Sequence, residues 1–538
     1  MTDSSVLDDA PEAQPTSDAV EGAVATDTDV DTGAPVEWWR RRLRPPTWGE
    51  AVLGTAIVLY TIYFTSRSLD IHHALGTASY DSALYDQGMW LLSRGEAPFV
   101  TLMGRNLFGD HTSFILLFLV PLYWIAPGAW IMFFSQSFAI ALGAVPVFLY
   151  GRKRLGAEWM ALVGAGAYLL HPAVGWTNLE NFHPDSFLGV TVGFAIYAAL
   201  ERKWRLYAVA VVLSLMVKED VALVIVPLGI WVALRRSWRI GLITVLGAVW
   251  FVAVAMFLVM RSLIGVPTRN TWRIPFGGPG GLVDTAVTNP TDVVDHLRSD
   301  GRPWYLWQMT APFAVLFARL PDVALISGVV LFTNVLSTYW YQYQVEYHYS
   351  LIAVPALAIG TMYAIGALRD RWTSGGLYLP VRSIAVVVLA AASLSTAYVW
   401  APTPWSQNPG WIPDPNSEFA ESAREIIAGI PDDASIAAHY RITPHVAYRD
   451  EVYQFPVPFR VVLYGPDISW ENSRLGNRAE GVDYVVLPVN RDEQLIADWA
   501  AVSSAFEQVT GNDFWVLYER DRSAPLPPGG PDIEPVPR

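Results

Sequence analysis

Residues 239–262 read RIGLITVLGAVWFVAVAMFLVMRS, a stretch with almost no ionisable side chain between its flanking arginines. About 20 mainly apolar residues are needed to cross about 30 Å of hydrocarbon, and this run has that length. Comparable runs recur from residue 49 to residue 400. A soluble enzyme with buried helices would not repeat them over such a distance. Composition agrees: 52% of the 538 residues are hydrophobic, 16% are charged and 23 are Trp. Soluble proteins average about a quarter charged. The sequence therefore predicts an all-α polytopic membrane domain.

Eleven spans are expected: 49–67, 129–150, 157–172, 186–200, 205–217, 221–235, 239–262, 304–319, 322–338, 350–368 and 382–400. Short cytoplasmic loops are enriched in Lys and Arg, which fixes orientation. Basic clusters fall at 40–44, 152–154, 202–205, 235–239 and 369–371. With all five inside, the loops 171–185, 218–220, 269–300 and 339–349 lie outside, together with nearly every His. Parity then requires one crossing between Asp81 and Arg152, although two apolar runs are present. The run 112–126 is short and ends at Pro127-Gly128, so it is assigned to the outer interface, and 129–150 crosses. The N-terminus is cytoplasmic, the C-terminus extracytoplasmic, and the membrane the cytoplasmic one.

The flanks divide by composition. Residues 3–37 carry ten acids and no Lys or Arg, so 1–38 is expected to be a disordered acidic tail; it lacks the basic start and apolar middle of a signal peptide. The net charge of −14 is largely this tail, and no nucleic-acid partner is expected. After the membrane domain, 39–400, five prolines mark 401–416 as a linker. Residues 417–522 alternate a helix-like stretch (EFAESAREIIAGI) with β-rich runs (SIAAH, FRVVLYG, VDYVVLPV, FWVLYERD), which predicts a small α/β extracytoplasmic domain. Residues 523–538, with six prolines, read as disordered. No internal repeat is evident, and the absence of Cys excludes disulfides and thiolate zinc sites.

Ionisable groups near a membrane core cost about 2.5–3.5 kcal/mol each, so their concentration at the outer face calls for a reason. Asp81 stands at the start of a helix-like stretch that aligns Ser82, Asp86 and Met89; it is placed for either N-capping or catalysis. Asp86 lies between aromatics. His111 follows Asp110, His171 and His183 each precede a Pro, and Glu180 and Asp185 flank His183. Each His-Pro alone reads first as helix-end punctuation. Together His111, His183 and Asp185 make a divalent-metal environment, although their spacing is diagnostic of none. Lys218-Glu219-Asp220 separates two apolar runs with almost no loop. It is either a salt-bridged hairpin or a site where Lys218 meets a lipid phosphate and Glu219 or Asp220 orients a partner. The loop 263–303 holds Arg269, Arg273 and a Gly-rich 276–281 that matches no phosphate-binding fingerprint, and is expected to be a mobile cover. The aromatic stretch 339–349, which includes His348, reads as an interfacial belt compatible with carbohydrate stacking.

Asp81-Ser82-Ala83-Leu84-Tyr85-Asp86-Gln87-Gly88-Met89-Trp90 resembles the D-x-G-I-F-D-Q-x-x-W motif of the bacterial membrane family of domain of unknown function 2079. Its H-x-S-P element is similar to His111-Thr112-Ser113, with Phe114 in place of Pro. F-H-P matches Phe182-His183-Pro184, K-E-D matches Lys218-Glu219-Asp220, and a tyrosine-rich H-Y stretch matches Tyr347-His348-Tyr349. Residues 431–438 and Thr443-Pro444-His445 resemble the start of that family's extracytoplasmic domain. Ala83 replaces the motif's Gly.

That family is similar to the GT-C glycosyltransferases, multi-span enzymes that take a sugar from a polyprenyl-phosphate carrier. The resemblance implies a catalytic carboxylate in the first external loop, filled by Asp81 or Asp86, juxtamembrane helices there, and further acids in later loops, for which Glu180, Asp185, Glu219 and Asp220 are candidates. The expected donor is a polyprenyl-phosphate sugar and the expected acceptor an envelope glycan, lipid or protein. Lys218 with Arg269 or Arg273 would stabilise the departing phosphate, a role a divalent metal can share. Two rivals are a lipid or solute transporter, expected to bury charges in mid-span, and a non-catalytic envelope scaffold.

Overall fold

The computed structural model describes residues 45–265, 270–372, 376, 378–465 and 468–533. The acidic tail 1–38, the basic cluster 40–44 and Arg269 lie outside these residues.

The run that opened the sequence reading is one helical rod, Trp238–Val254 continued through Ala255–Met260 and Arg261–Ile264, and ended by left-handed Gly265. It leaves Leu242, Ile243, Leu246, Trp250, Phe257 and Leu258 exposed, an apolar outside suited to lipid. By contrast, the rod His348–Ile365 is almost wholly buried and forms the axis around which its neighbours pack. Gly360 allows that packing: a Cβ there would stand 2.9 Å from the backbone nitrogen of Ala324. Helical segments lie over all eleven expected stretches. Five are long and apolar enough to cross a membrane: Trp48–His73, Ala129–Leu155, Trp238–Ile264, His348–Ile365 and Val381–Trp400. Pro184–Leu200, Trp204–Leu215 and Ala324–Leu336 are shorter apolar helices. The expected span 304–319 is broken: Arg302–Thr310 gives way to short 3-10 turns around left-handed Ala314 and Val315.

The described basic clusters gather at one end of the bundle. Arg152 pairs with Glu50 at 2.7 Å, Lys153 with Glu201, and Arg235 with Asp322 at 3.5 Å. Arg154 stacks on Tyr363, and Arg382 donates to the carbonyl of Leu368 at 2.8 Å. The other end carries the loops rich in acids and imidazoles.

In the first of these loops a π-helical turn, Ser79–Ala83, runs directly into the helix Leu84–Ser93. The stretch 112–126 forms two short helices, Phe114–Phe118 and Val120–Tyr123, each far too short to span. Leu117, Phe118, Trp124 and Ile125 are exposed beside them, an apolar rim suited to the interface. The Gly-rich covering loop is helical rather than irregular: Pro279–Thr288 and Pro290–Arg298 form a hairpin, with Gly277 and Gly278 turning the chain into the first helix at positive φ.

The C-terminal segment holds a five-stranded sheet. Ile436–Ala438 pairs in parallel with Val452–Gln454 on one side and Tyr484–Pro488 on the other; Trp515–Arg520 and Phe506–Gly511 extend the sheet antiparallel. The helix Glu418–Ala428 falls where periodicity placed it. FRVVLYG is not a strand: two prolines, Pro456 and Pro458, precede its core, and only Val461 pairs, exchanging bonds with Ser473 and Asn472. Phe506–Gly511 takes the place in the sheet. The tail from Ser523 is not loose as far as Ile533, since Arg474 binds Pro531 and Ile533 through its backbone and Asp532 through its side chain at 3.1 Å. The proline-rich linker is also held, with Trp411 against Gly76 and its carbonyl accepting from Arg67.

Candidate functional site

Four separated segments meet at the end of the bundle opposite the basic clusters. The helix Pro172–Leu179 ends at Glu180, and Asn181 turns the chain with a left-handed φ of 43°. Gln136, buried in the apolar helix Ala129–Leu142, fixes this turn: its amide donates to the carbonyl of Asn181 at 2.8 Å and its oxygen accepts from His183 N at 2.9 Å. Asn181 in turn addresses the loop that carries Asp81. Its side-chain oxygen accepts from Ala78 N and Ser82 Oγ, and its amide lies 3.5 Å from Asp81 Oδ2. Asp81 is therefore not an N-cap. It sits within the π turn and projects toward the 180–183 segment.

Glu180, His183 and His348 form the tightest group. Glu180 Oε2 accepts from His348 N at 2.6 Å and lies 3.1 Å from its Nδ1, while His183 Nε2 is 3.6 Å from Oε1. The two imidazoles stack with centroids 3.8 Å apart. The buried Nε2 of His183 has no hydrogen-bond partner among the described residues. Burial pushes the Glu180 carboxyl up to about 8, against the pull of His183, and burial together with His348 lowers His183. Their ligand atoms all lie within 4.8 Å of one another, and two imidazoles with one carboxylate are a donor set for zinc or a related transition metal. The orphaned Nε2, and a buried carboxyl whose charge is costly without a counter-ion, both fit a cation between them.

Beyond this group, Lys218 Nζ stands 3.9 Å from both Asp185 Oδ2 and Asp220 Oδ2, distances too long for hydrogen bonds. Lys218 is 7% exposed. Burial works to lower its pKa, but Asp185 and Asp220 outweigh it and keep the ammonium charged. Asp185 and Asp220 line a cavity of about 410 Å³ whose other walls include Arg273, Asn334, Gln342 and Tyr349. Arg273 lies over Tyr339 at 4.3 Å, and its Nε is buried without a partner among the described residues.

Three expected ligands or catalysts stand outside the Glu180–His183–His348 group. His111 does not join His183. Its Nδ1 is 2.8 Å from Glu219 Oε1, and Glu219 Oε2 also accepts from Thr112 N at 3.3 Å. Burial would raise Glu219, yet His111 brings it down to about 2, and Glu219 raises His111 in return. This contact braces the first loop against residues 219–221, away from His183. Asp185 is committed to Lys218. Asp86 faces away from the group altogether: its Oδ1 accepts from Tyr123 at 2.7 Å and Tyr448 at 3.0 Å.

The profile of a family described as "Predicted membrane protein (DUF2079)" matches residues 71–522. The chain belongs to this family. No curated protein matches it. Two crystal structures of ArnT from Cupriavidus metallidurans share its fold. The one bound to undecaprenyl phosphate has a TM-score of 0.50 and 12% identity, over 87% of this chain and 98% of ArnT. The apo form has a TM-score of 0.50 and 13% identity, over 88% and 99%. At such identity the likeness is one of fold alone. Within this DUF2079 chain, Gln136 and Asn181 position the site without having been singled out in the sequence. Gln136 left a trace, being the one amide in the apolar run 129–150.

Proposed function

We propose that this protein is a glycosyltransferase of the cytoplasmic membrane, spanning it eleven times, with the acid- and imidazole-rich end and the C-terminal domain outside. It takes a sugar from a polyprenyl-phosphate carrier and passes it to an envelope glycan, lipid or protein. The observation carrying this reading is the convergence of Asp81, Glu180, His183, His348, Asp185 and Lys218 beside a cavity that also presents Arg273. The fold supports it, since ArnT of the same fold was crystallised with undecaprenyl phosphate.

Asp81 is the general base. Its described side-chain contact is the long one to Asn181, so it can accept the acceptor hydroxyl's proton as that oxygen attacks the anomeric carbon. The bond from that carbon to the phosphate oxygen breaks, and polyprenyl phosphate leaves as an anion. Lys218 and Arg273 meet the charge as it grows, in surroundings where water is scarce. Glu180, His183 and His348 would hold a divalent cation, which supplies Lewis-acid stabilisation of a phosphoryl oxygen.

The test is a deletion strain complemented with wild-type protein or Asp81→Asn, with envelope glycans profiled by mass spectrometry. The expected result is a glycan present with the wild type and absent with Asp81→Asn at equal protein level. Unchanged glycans with Asp81→Asn would remove Asp81 from the chemistry, and unchanged glycans in the deletion itself would remove the activity.

A further inference from the structure

The helical run that carries Asp81 and Asp86 has a second cavity on its other side, of about 330 Å³, where the end of Trp48–His73 meets the start of Ala129–Leu142 beneath the C-terminal domain. Its polar wall is Asp86, His72, His73, His445 and Tyr448. Asp86 is 2% exposed, and both of its tyrosine bonds fall on Oδ1, so Oδ2 keeps its lone pairs. His72 and His445 stack at 4.2 Å, and the buried Nε2 of His445 has no hydrogen bond among the described residues. No Lys or Arg is among the described lining residues, although Arg424 stands behind the wall and donates to the carbonyl of His73 at 3.2 Å, so an anionic headgroup would meet the Asp86 carboxylate directly and no cation on the wall itself. Hydroxyl groups suit this wall, because each can donate to Asp86, His445 or the Tyr448 oxygen and accept from an imidazole N–H. The volume is at the lower end of small-molecule sites, about 300–1,000 Å³, and matches a compact headgroup.

A second observation concerns Trp130, which lines the mouth. Trp130, Phe134 and Phe138 follow at one-turn intervals down the same helix, each ring nearly parallel to the next at 5.4 and 5.8 Å. They are 49%, 36% and 41% exposed on an otherwise apolar helix. A flat aromatic strip thus leads from the cavity along the outside of the bundle. A solitary interfacial Trp would belong to an aromatic belt; this ladder runs about 12 Å along the helix, further than a single belt residue reaches.

We propose that cavity and ladder together form a binding site for a membrane lipid with an uncharged, hydroxyl-bearing headgroup. The headgroup hydroxyls meet Asp86, His445 and Tyr448, and the apolar chain follows Trp130, Phe134 and Phe138. No bond is made or broken here, so the site stands whether or not the protein transfers sugars.

Full-length protein in phosphatidylcholine vesicles would be labelled with three photoreactive probes sharing one diazirine-bearing acyl chain: glucosyl-diacylglycerol, diacylglycerol and phosphatidylcholine. The glucosyl probe is expected to label the peptide containing Trp130–Phe138 about tenfold more than either of the others. The variant Asp86→Leu with His445→Leu should bring it down to the diacylglycerol level, while Arg273→Ala, in the other cavity, should leave it unchanged. Equal labelling by all three probes would overturn the proposal, as would an excess that survives the double variant. The comparison of headgroups on the wild-type protein decides the matter even if the double variant fails to fold.

Discussion

His183 and His348 stack face to face at 3.8 Å with Glu180 against both, although 165 residues of chain separate the two imidazoles. Stacked neutral rings beside a buried carboxyl are stable only if little charge develops, or if a cation takes up the carboxylate. The second condition gives a direct expectation. Protein purified in detergent and dialysed against zinc should retain about one equivalent by elemental analysis. His183→Ala and Glu180→Gln should each weaken retention by about 10–100-fold or more, since each removes a ligand. Equal zinc in wild type and both variants would show that the trio is a structural cluster.

Asp86 gives a pH dependence of defined sign. Burial pushes its carboxyl from 3.8 up to about 7, with Tyr123 and Tyr448 only partly offsetting it. A raised acid favours the folded state fully below the unfolded pKa, and that contribution is lost as pH rises toward 7. A shift of about three units corresponds to about 4 kcal/mol at most. Asp86→Asn keeps an oxygen for both tyrosines and removes the charge. Its unfolding midpoint should exceed that of the wild type at pH 8, with the gain shrinking towards pH 5. A gain that is the same at both pH values, or a loss at pH 8, would contradict the assignment of a buried, reluctantly ionised carboxyl.

Lys218 is tested through its partner. Lys218→Met leaves Asp185, itself buried, without its cation, and removing one member of a buried pair costs about 3–5 kcal/mol. Adding Asp185→Asn should recover part of that loss, a coupling that thermal unfolding of the two single variants and the double variant would measure. Additive losses would mean that the 3.9 Å approach is incidental. Binding of a polyprenyl phosphate, the carrier class proposed above, followed by native mass spectrometry, should fall in Lys218→Met and remain low in the double variant, because the anion's partner is gone in both.

The grouping of basic clusters at one end of the bundle and of acids and imidazoles at the other was legible because it is written in long apolar runs and short basic clusters, both local signals. The trace of Glu180 and His183 was local too, three residues apart. What pairs with them was not: nothing near residue 180 points to His348, and His111 and Asp185 were equally available by composition. Asp81 and Asp86 looked alike as acids of one motif. Five residues on a helix turn a side chain well away, and the π turn at Ser79–Ala83 adds to that rotation, so one faces Asn181 and the other Tyr448. FRVVLYG has strand composition, but a strand needs a partner ladder, and the prolines just before it leave Val461 with only a single paired position.

Gln87 joins the loop to the segment that carries the C-terminal sheet. It is fully buried, its amide donating to Thr101 Oγ1 at 2.8 Å and to the carbonyl of Arg449 at 3.0 Å, while its oxygen accepts from Thr101 N at 3.0 Å. Thr101 Oγ1 continues the link by donating to the carbonyl of Val452, the first residue of an edge strand. Gln87→Leu has similar volume but strands the carbonyl of Arg449 and the N–H of Thr101, each costing about 1–3 kcal/mol when left buried without a partner. The expected result is a C-terminal domain that opens more readily, with hydrogen exchange rising across 447–454 while the rod His348–Ile365 keeps wild-type protection. Gln87→Glu tests the same link differently, since a carboxylate can still accept from Thr101 N but cannot donate to Arg449 O. It should show the same local rise, and protection unchanged in both variants would mean that other contacts hold the domain in place.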